Sequence, residues 1–418
     1  MRVVIATGPG KLHFLESAAA IAKAGAQVNL LTGWVPSPRQ ERLADLVGTV
    51  IGEEQLSRRL IVRRLEGDRL TVTANGWTEA VGAAAGFAGR LPFADADFTS
   101  ALAFRIHGLR SIRHLNSADI FLVRSGAGRG GAMAAARVNG LKTIADHSIA
   151  HPSFMKEVLT EEYRRQGMRC EVTPKSAFWR GILEDCAEAD KVLVNSDFVK
   201  ETFVQNGFAA EKVEVAYWGV RRDFFALKGD YRRDGPLRLI FTGHFDLRKG
   251  ARILLEAVRL VRGGGLDARL QVVGKMGTGR ACIKPADSEF LTATPFMPQG
   301  ELKELLAQSD LFVFPTLAEG CSRSAMEAAA AGLPVITTRN CGLPGRAGTT
   351  ALLVAAGNVS ALAEAIETLG ENENARAVLG RSAASLISEK FTWDHYGRNV
   401  FRFFQSVMGA RDAHLLRN

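Results

Sequence analysis

Two glutamates eight residues apart, Glu319 and Glu327, form the most informative pair in this sequence. They lie in Pro315-Thr316-Leu317-Ala318-Glu319-Gly320-Cys321-Ser322-Arg323-Ser324-Ala325-Met326-Glu327-Ala328, which leads on to Ala331-Gly332 and Pro334. The frame reads strand, Pro, Glu-Gly, helix, Ala-Gly, Pro. Glu319 closes the loop after an apolar strand, and Glu327 falls on the helix that follows. The amides of Gly320, Cys321 and Ser322 open that helix and are expected to be free to bind an anion. Glu327 lies a turn or so deeper and could accept two hydrogen bonds from the cis diol of a ribose. Glu319 would face a sugar beyond a diphosphate.

A second group is Thr242-Gly243-His244-Phe245-Asp246-Leu247-Arg248-Lys249-Gly250, which follows a strand and opens a helix. Arg248 and Lys249 are adjacent cations at a helix N-terminus, where backbone amides add positive potential. That suits a diphosphate whose negative charge grows as it leaves. A third is Asp146-His147-Ser148-Ile149-Ala150-His151, just past a strand end. His147 could donate to a sugar hydroxyl or a phosphate, or exchange a proton.

Two further motifs are weaker. Residues 126–131, Gly-Ala-Gly-Arg-Gly-Gly, match G-x-G-x-x-G, and Asp146 stands 20 residues after Gly126. That is the spacing of a dinucleotide site, yet a plain strand-to-helix turn explains it more cheaply. Asp95-Ala96-Asp97 could hold a divalent cation, but acid pairs of this width are common in loops.

Positioning these residues takes alternating short strands and longer helices. Strands are expected at 2–7, 28–32, 120–124, 142–146, 191–195 and 213–216. The pattern restarts with strands at 237–242, 270–273, 311–315, 334–337 and 351–354, and helices at 251–262, 301–308, 322–331, 359–369 and 374–388. Repeated βα units imply parallel sheets. Residues 226–237 lack apolar periodicity and read as a linker between two α/β domains of similar size. Ligands of such sheets bind at the carboxyl ends of the strands, so the cleft between the domains is the natural site.

Composition narrows the class. The 418 residues are 47% hydrophobic and 23% charged, with a formal net charge of +9. Basic residues are spread over both halves, so no nucleic-acid domain stands out. Five cysteines, an odd number without C-x-x-C, argue against a disulfide scaffold or a structural zinc site. The apolar start is broken by Gly8-Pro9-Gly10-Lys11, and no run of about 18 apolar residues follows; a cytoplasmic protein is expected. Basic stretches at 58–64 and 104–114 read as solvated helix faces, with contact to acidic lipid head groups as the functional alternative.

The stretch Phe312-Val313-Phe314-Pro315-Thr316-Leu317-Ala318-Glu319-Gly320, with Glu327-Ala328 and Ala331-Gly332-Leu333-Pro334-Val335-Ile336, closely resembles the C-terminal signature of family-4 retaining glycosyltransferases (glycosyl transferases group 1) of the GT-B fold. Phe241-Thr242-Gly243 with Arg248-Lys249-Gly250 resembles a second block of that family. Val194-Asn195-Ser196-Asp197-Phe198-Val199, followed by Tyr217-Trp218-Gly219-Val220, resembles the end of its first domain.

The resemblance implies two Rossmann-like doubly wound domains facing across a cleft. These are an acceptor-side domain 1–225, a linker 226–236 and a nucleotide-sugar domain 237–392. A helix at 393–418, with Trp393, Tyr396, Val400 and Phe404, would cross back onto the first domain. It implies transfer from a UDP- or GDP-sugar to a sugar, lipid-linked or small-molecule acceptor, with retention, for glycan, exopolysaccharide or glycolipid synthesis. No metal, cofactor or nucleic acid is implied. Catalytic roles fall to Glu319, His147 and Lys249. Donor contacts fall to Glu327, Arg248, Gly320, Cys321, Ser322, Gly8, Gly10 and His244, which stands where many members carry Arg. His151 competes with His147 for the active-site histidine position, and His151 and His13 are further acceptor or sugar contacts. The protein would be cytoplasmic, with peripheral attachment to the inner membrane face as an extension. Rival readings are an NAD-dependent oxidoreductase, a non-catalytic GT-B relative and a nucleotide-sugar epimerase.

Overall fold

Runs of Val, Ile, Leu and Phe that are covered on both faces favour parallel strands under helices. In the computed structural model, which describes residues 1–8, 13–33, 68–75, 78, 96–295, 297–345 and 347–415, such runs build two sheets. The first contains β1 (Arg2–Ala6), β2 (Gln27–Thr32), β3 (Leu70–Ala74), β4 (Ile120–Arg124), β5 (Lys142–His147), β6 (Lys191–Val194) and β7 (Val213–Val215). Its order is β3-β2-β1-β4-β5-β6-β7, parallel throughout. The second contains β8 (Leu237–Thr242), β9 (Ala268–Val273), β10 (Leu291–Thr294), β11 (Leu311–Phe314), β12 (Val335–Thr338) and β13 (Leu352–Val354). Its order is β10-β9-β8-β11-β12-β13, again parallel. Both are doubly wound, so both turn the carboxyl ends of their central strands towards the site.

Two strands are absent from the sequence reading, β3 and β10. Both are outer strands with threonine at alternate positions and partly exposed faces, so neither presents an apolar run. The basic stretch at 58–64 lies outside the described residues. In the stretch at 104–114, helix Ala96–Ser111 turns Phe104 and His107 inward and Arg105 to solvent.

The second domain is held by an aromatic stack. Phe241 lies against Phe314 with ring centroids 5.2 Å apart, and Phe312 follows at 6.1 Å from Phe314. All three are fully buried. Burying a side chain of this size stabilises by roughly 1.5–3 kcal/mol.

The chain crosses between the domains twice, side by side. Segment 226–236 is tied to the second domain: Tyr231 Oη donates to Gly332 O at 2.8 Å, and Lys228 Nζ to Ser309 O at 2.7 Å. On the return, Val220 N–H donates to Phe391 O at 2.8 Å. Helix Trp393–Leu415 then packs on helix Phe14–Lys23, burying Tyr396, Val400 and Phe404 at helical spacing. Lys23 pairs with Asp394 at 2.7 Å across this contact.

Candidate active site

Asp246 builds the turn after β8. Its Oδ1 accepts the Lys249 N–H at 2.9 Å, as a cap does. Gly250 has φ 83°, and a Cβ there would lie 2.1 Å from Pro315 O, so only glycine lets the turn sit against the loop after β11. That loop returns the contact: Leu317 N–H and Thr316 Oγ1 both donate to Arg248 O, at 2.8 and 3.1 Å. The two motifs, nearly 70 residues apart, thus form one rigid unit.

Its product is a charged cluster. Arg248 Nη1 donates to Ala318 O at 2.6 Å and lies 3.1 Å from Glu319 Oε2. Lys249 Nζ lies 3.4 Å from the same oxygen and 5.3 Å from the centre of the Phe314 ring. These are ion contacts by distance; Glu319 Oε2 has no aligned hydrogen bond. Burial alone would lift the Glu319 carboxyl, but the two facing cations outweigh it and hold it below its ordinary value. These three side chains carry a net charge of +1 in a largely buried place, and the Asp246 carboxylate at the foot of the turn also acts on Arg248.

The loop at Glu319 is also a seam between the domains. Glu319 O accepts the Ala150 N–H at 3.2 Å, and Gly320 O accepts Ser196 Oγ at 2.6 Å. A Cβ at Gly320 would stand 1.9 Å from Ser148 O, so backbone meets backbone and no side chain fits. One expectation fails here. The Ser322 amide is not free, because it donates to Cys341 O at 3.1 Å. Ser322 instead caps helix Arg323–Ala330, its Oγ accepting the Ala325 N–H at 3.3 Å. The Gly320 and Cys321 amides have no acceptor among the described residues. The Cys321 side chain is buried, and burial and Cys341 push its thiol well up.

Glu327 lies on that helix. Burial raises its carboxyl above the ordinary value, against the pull of Arg323 and Arg221. Arg323 also reaches Glu16 of the first domain at 3.6 Å.

The histidines differ in kind. His147 is 3% exposed; its Nδ1 lies 2.8 Å from Ser125 Oγ, and its Nε2 has no partner. Burial, then the neighbouring His151, lower it to about 3, so the ring is neutral. His151 is committed to structure. Its Nδ1 accepts the Ser153 N–H at 3.2 Å and caps helix Pro152–Arg165. His13 lies between Phe14 and Trp218, with Nε2 3.5 Å from Asp146 Oδ2. His244 is exposed, while Arg248 and Lys249 both turn into the cluster. Gly8 is buried beneath Phe104, and Gly10 and Asp95 lie outside the described residues.

The turn at 126–131 proves to be filled by the protein itself. Asp185 Oδ2 accepts the amides of Gly126 and Gly128 at 2.6 and 2.7 Å. The amides a dinucleotide phosphate would need are taken, and a carboxylate stands where the phosphate would lie. This geometry disfavours an NAD site.

A cavity of about 700 Å³ lies between the domains, lined by Asp197, Lys200, Tyr217, Arg339 and Leu343 among others. None of the site residues named above lines it. The charged cluster lies apart from this void.

Residues 236–372 match the family model described as Glycosyl transferases group 1. The amylovoran biosynthesis glycosyltransferase AmsK of Erwinia amylovora is 28% identical over 176 residues, covering 38% of this chain and 41% of that protein. Sucrose-phosphate synthase from Thermosynechococcus elongatus superposes with a TM-score of 0.67 at 16% identity, over 98% of this chain and 99% of that one. Anabaena Alr3699/HepE in complex with UDP gives 0.60 at 16% identity, over 97% and 100%. In sequence the chain spans about half, or less, of the curated relatives it matches. The fold is GT-B, and the second domain carries the glycosyl transferases group 1 signature.

Proposed function

We propose that the chain transfers a hexosyl group from a UDP- or GDP-sugar to an acceptor hydroxyl, with retention, in the synthesis of a polysaccharide or glycolipid. The observation that carries this reading is the cluster of Arg248, Lys249 and Glu319 at the domain seam. The names of relatives fit it: one is an amylovoran biosynthesis glycosyltransferase, and one structural neighbour holds UDP.

In this reading the diphosphate displaces Glu319 from Arg248 and Lys249. The two cations then stabilise the charge that grows on the leaving oxygen, work that a metal ion would otherwise do. The freed Glu319 carboxylate faces the sugar ring, where positive charge develops as the glycosidic bond stretches. Glu327 accepts from the ribose hydroxyls. His147, neutral and with Nε2 unpartnered, contacts a sugar hydroxyl; His151, already a cap, does not. The leaving phosphate takes the acceptor proton on the same face, which gives retention without a protein nucleophile. Domain one is read as 1–225, the linker as 226–236, domain two as 237–392 and the crossing helix as 393–418. No helix among the described residues is long and apolar enough to cross a membrane; contact with a membrane face remains part of this proposal.

The test is a panel of nucleotide sugars. A bound donor at about 100 times its Kd should stabilise the fold by roughly 2.7 kcal/mol. Release of nucleoside diphosphate on adding acceptor, surviving EDTA, is the expected result. Stabilisation by NAD instead of any nucleotide sugar, or activity lost in EDTA and restored by Mn²⁺, would overturn the corresponding part.

A further inference from the structure

Helix Pro152–Arg165 of the first domain buries Met155, Leu159 and Glu162 on one stripe, so a carboxylate stands where helical spacing calls for an apolar side chain. Glu162 meets a residue of the second domain. Its Oε1 accepts from Arg252 Nε at 2.8 Å, and its Oε2 accepts from Arg252 Nη2 at 2.6 Å. The Arg252 and Glu162 side chains are 7% and 5% exposed. Arg252 Nη1 donates to Glu256 at 2.6 Å, one turn along its own helix. Two other ion pairs that join the domains, Arg323 with Glu16 and Arg339 with Glu201, are far more exposed. A buried pair is weak evidence for stability, because taking both charges out of water offsets much of their attraction. What a two-bond fork adds is a fixed geometry.

The place of the fork gives that geometry a use. Arg252 is the second residue of helix Ala251–Gly263 and follows Lys249 by three. Ala251 N–H donates to Asp246 O at 3.2 Å, and Leu254 N–H to Gly250 O at 2.9 Å. The first turn of this helix is therefore continuous with the turn that projects Arg248 and Lys249. Helix Pro152–Arg165 also packs on that turn, and just past its end Cys282 Sγ donates to Gln166 Oε1 at 3.5 Å. The start of the same helix meets the other half of the cluster. Ala150 N–H donates to Glu319 O at 3.2 Å, two residues before Pro152. One first-domain helix of 14 residues thus touches both loops that make the cluster, the loop after β11 at its start and the turn after β8 at its end.

We infer that Glu162 and Arg252 are positioning residues whose fork fixes the turn carrying Arg248 and Lys249 relative to the first domain. The effect on turnover rests on the glycosyltransferase reading; the hold on the turn rests on the contacts above. Arg248, Lys249, Glu319 and Glu327 all belong to the second domain, so a donor meets them whether or not the fork is intact. Transfer needs more, because an acceptor hydroxyl on the first-domain side must line up with the sugar those residues hold. A misplacement of about 1 Å costs on the order of 100-fold in such an alignment. The fork therefore acts on kcat and leaves donor KM nearly alone.

The experiment uses the full chain and the donor found by the panel. Glu162→Gln keeps the shape and one acceptor oxygen but removes the charge. It should lower kcat on the order of 10-fold with donor KM within about twofold of wild type. Arg252→Lys keeps the charge, loses the planar fork and should lose kcat in the same way. The double variant Glu162→Leu with Arg252→Met puts an apolar pair of similar size in place of the ions. It should melt no lower than wild type and still turn over slowly, which separates positioning from stability. Hydrogen exchange gives a readout without activity: peptides covering 246–254 should exchange faster in Glu162→Gln, and those covering 335–338 should not. Wild-type kcat in a folded Glu162→Gln or in the double variant overturns the inference. So does a rise in donor KM with kcat unchanged, which would make the pair part of donor binding. If wild type turns over no nucleotide sugar, the glycosyltransferase reading fails, and exchange at 246–254 decides the fork by itself. Faster exchange there upholds its hold on the turn, and unchanged exchange overturns it.

Discussion

Two glycine-rich turns follow strands, one in each domain, and they end up with opposite character. The turn at 126–131 directs the Gly126 and Gly128 amides at the chain's own Asp185. The turn at 243–250 is closed locally by Asp246 and projects Arg248 and Lys249 at Glu319. By spacing alone the first looks more like a phosphate site than the second. The difference is what each turn leaves uncommitted. In the first, an acid 57 and 59 residues further along occupies the amides. In the second, the cap uses one amide and leaves two cations.

The sharpest way to break this comparison is to remove a cation. Lys249→Ala should lower kcat on the order of 100- to 1000-fold with the donor found by the panel, since the departing diphosphate loses a stabiliser made for its transition state. The Glu319–Arg248 contact persists, so the fold should survive, which a thermal melt checks. Unchanged turnover in a folded variant would take Lys249 out of the site.

The filled turn can be tested through stability. Burial, outweighing the Gly128 and Gly126 amide bonds, raises the Asp185 carboxyl to about 7. Its folded value then lies above its unfolded one, so the native state holds a proton that the unfolded chain releases. That contribution is present at low pH and is lost as pH rises from about 4 to about 7, with a slope of at most about 1.4 kcal/mol per pH unit. Asp185→Asn keeps an acceptor for the amides and removes the titration. Urea melts should show it gaining on wild type as pH rises through that window. Asp185→Ala leaves two buried amides unpaired and should cost about 1–3 kcal/mol. Neither variant should bind NAD; if either did, the turn would be a dinucleotide site held shut.

How far the sequence could be read follows from the same distinction. The buried central strands β4 and β8 are apolar runs, and their expected limits match the observed ones. β3 and β10 escaped because outer strands with threonine-rich exposed faces carry little of that signal. That Glu319, Arg248 and Lys249 share one site was suggested by motif blocks, which keep the strand-turn-helix frame intact; their direct ion contacts were not. The Asp185 plug and the Ser125 contact to His147 were not legible. Each depends on which remote side chain a turn meets, and no local spacing encodes that. The Ser322 amide was misjudged for the same reason, because its acceptor is on the neighbouring strand's exit at Cys341.

The smallest effect separates the two glutamates. Glu327→Gln retains one acceptor oxygen for the ribose and loses only the charge. The difference between a charged and a neutral hydrogen bond is about 1 kcal/mol, so KM for the donor should rise roughly fivefold with kcat nearly unchanged. Because its carboxyl titrates above the ordinary value, wild-type KM should also rise as pH falls through that raised value, and the variant's should not. Glu319→Gln should behave in the opposite sense. Removing its charge leaves Arg248 and Lys249 without their counter-ion, which favours the ground-state diphosphate and keeps KM level or lowers it. The same change takes a carboxylate away from the developing positive charge on the sugar, so kcat falls. Steady-state kinetics of both variants over donor concentration and pH decides the assignment. A rise in KM alone for Glu319→Gln, with a fall in kcat alone for Glu327→Gln, would invert the two roles. No change in either would move the active site away from the turn after β8 altogether.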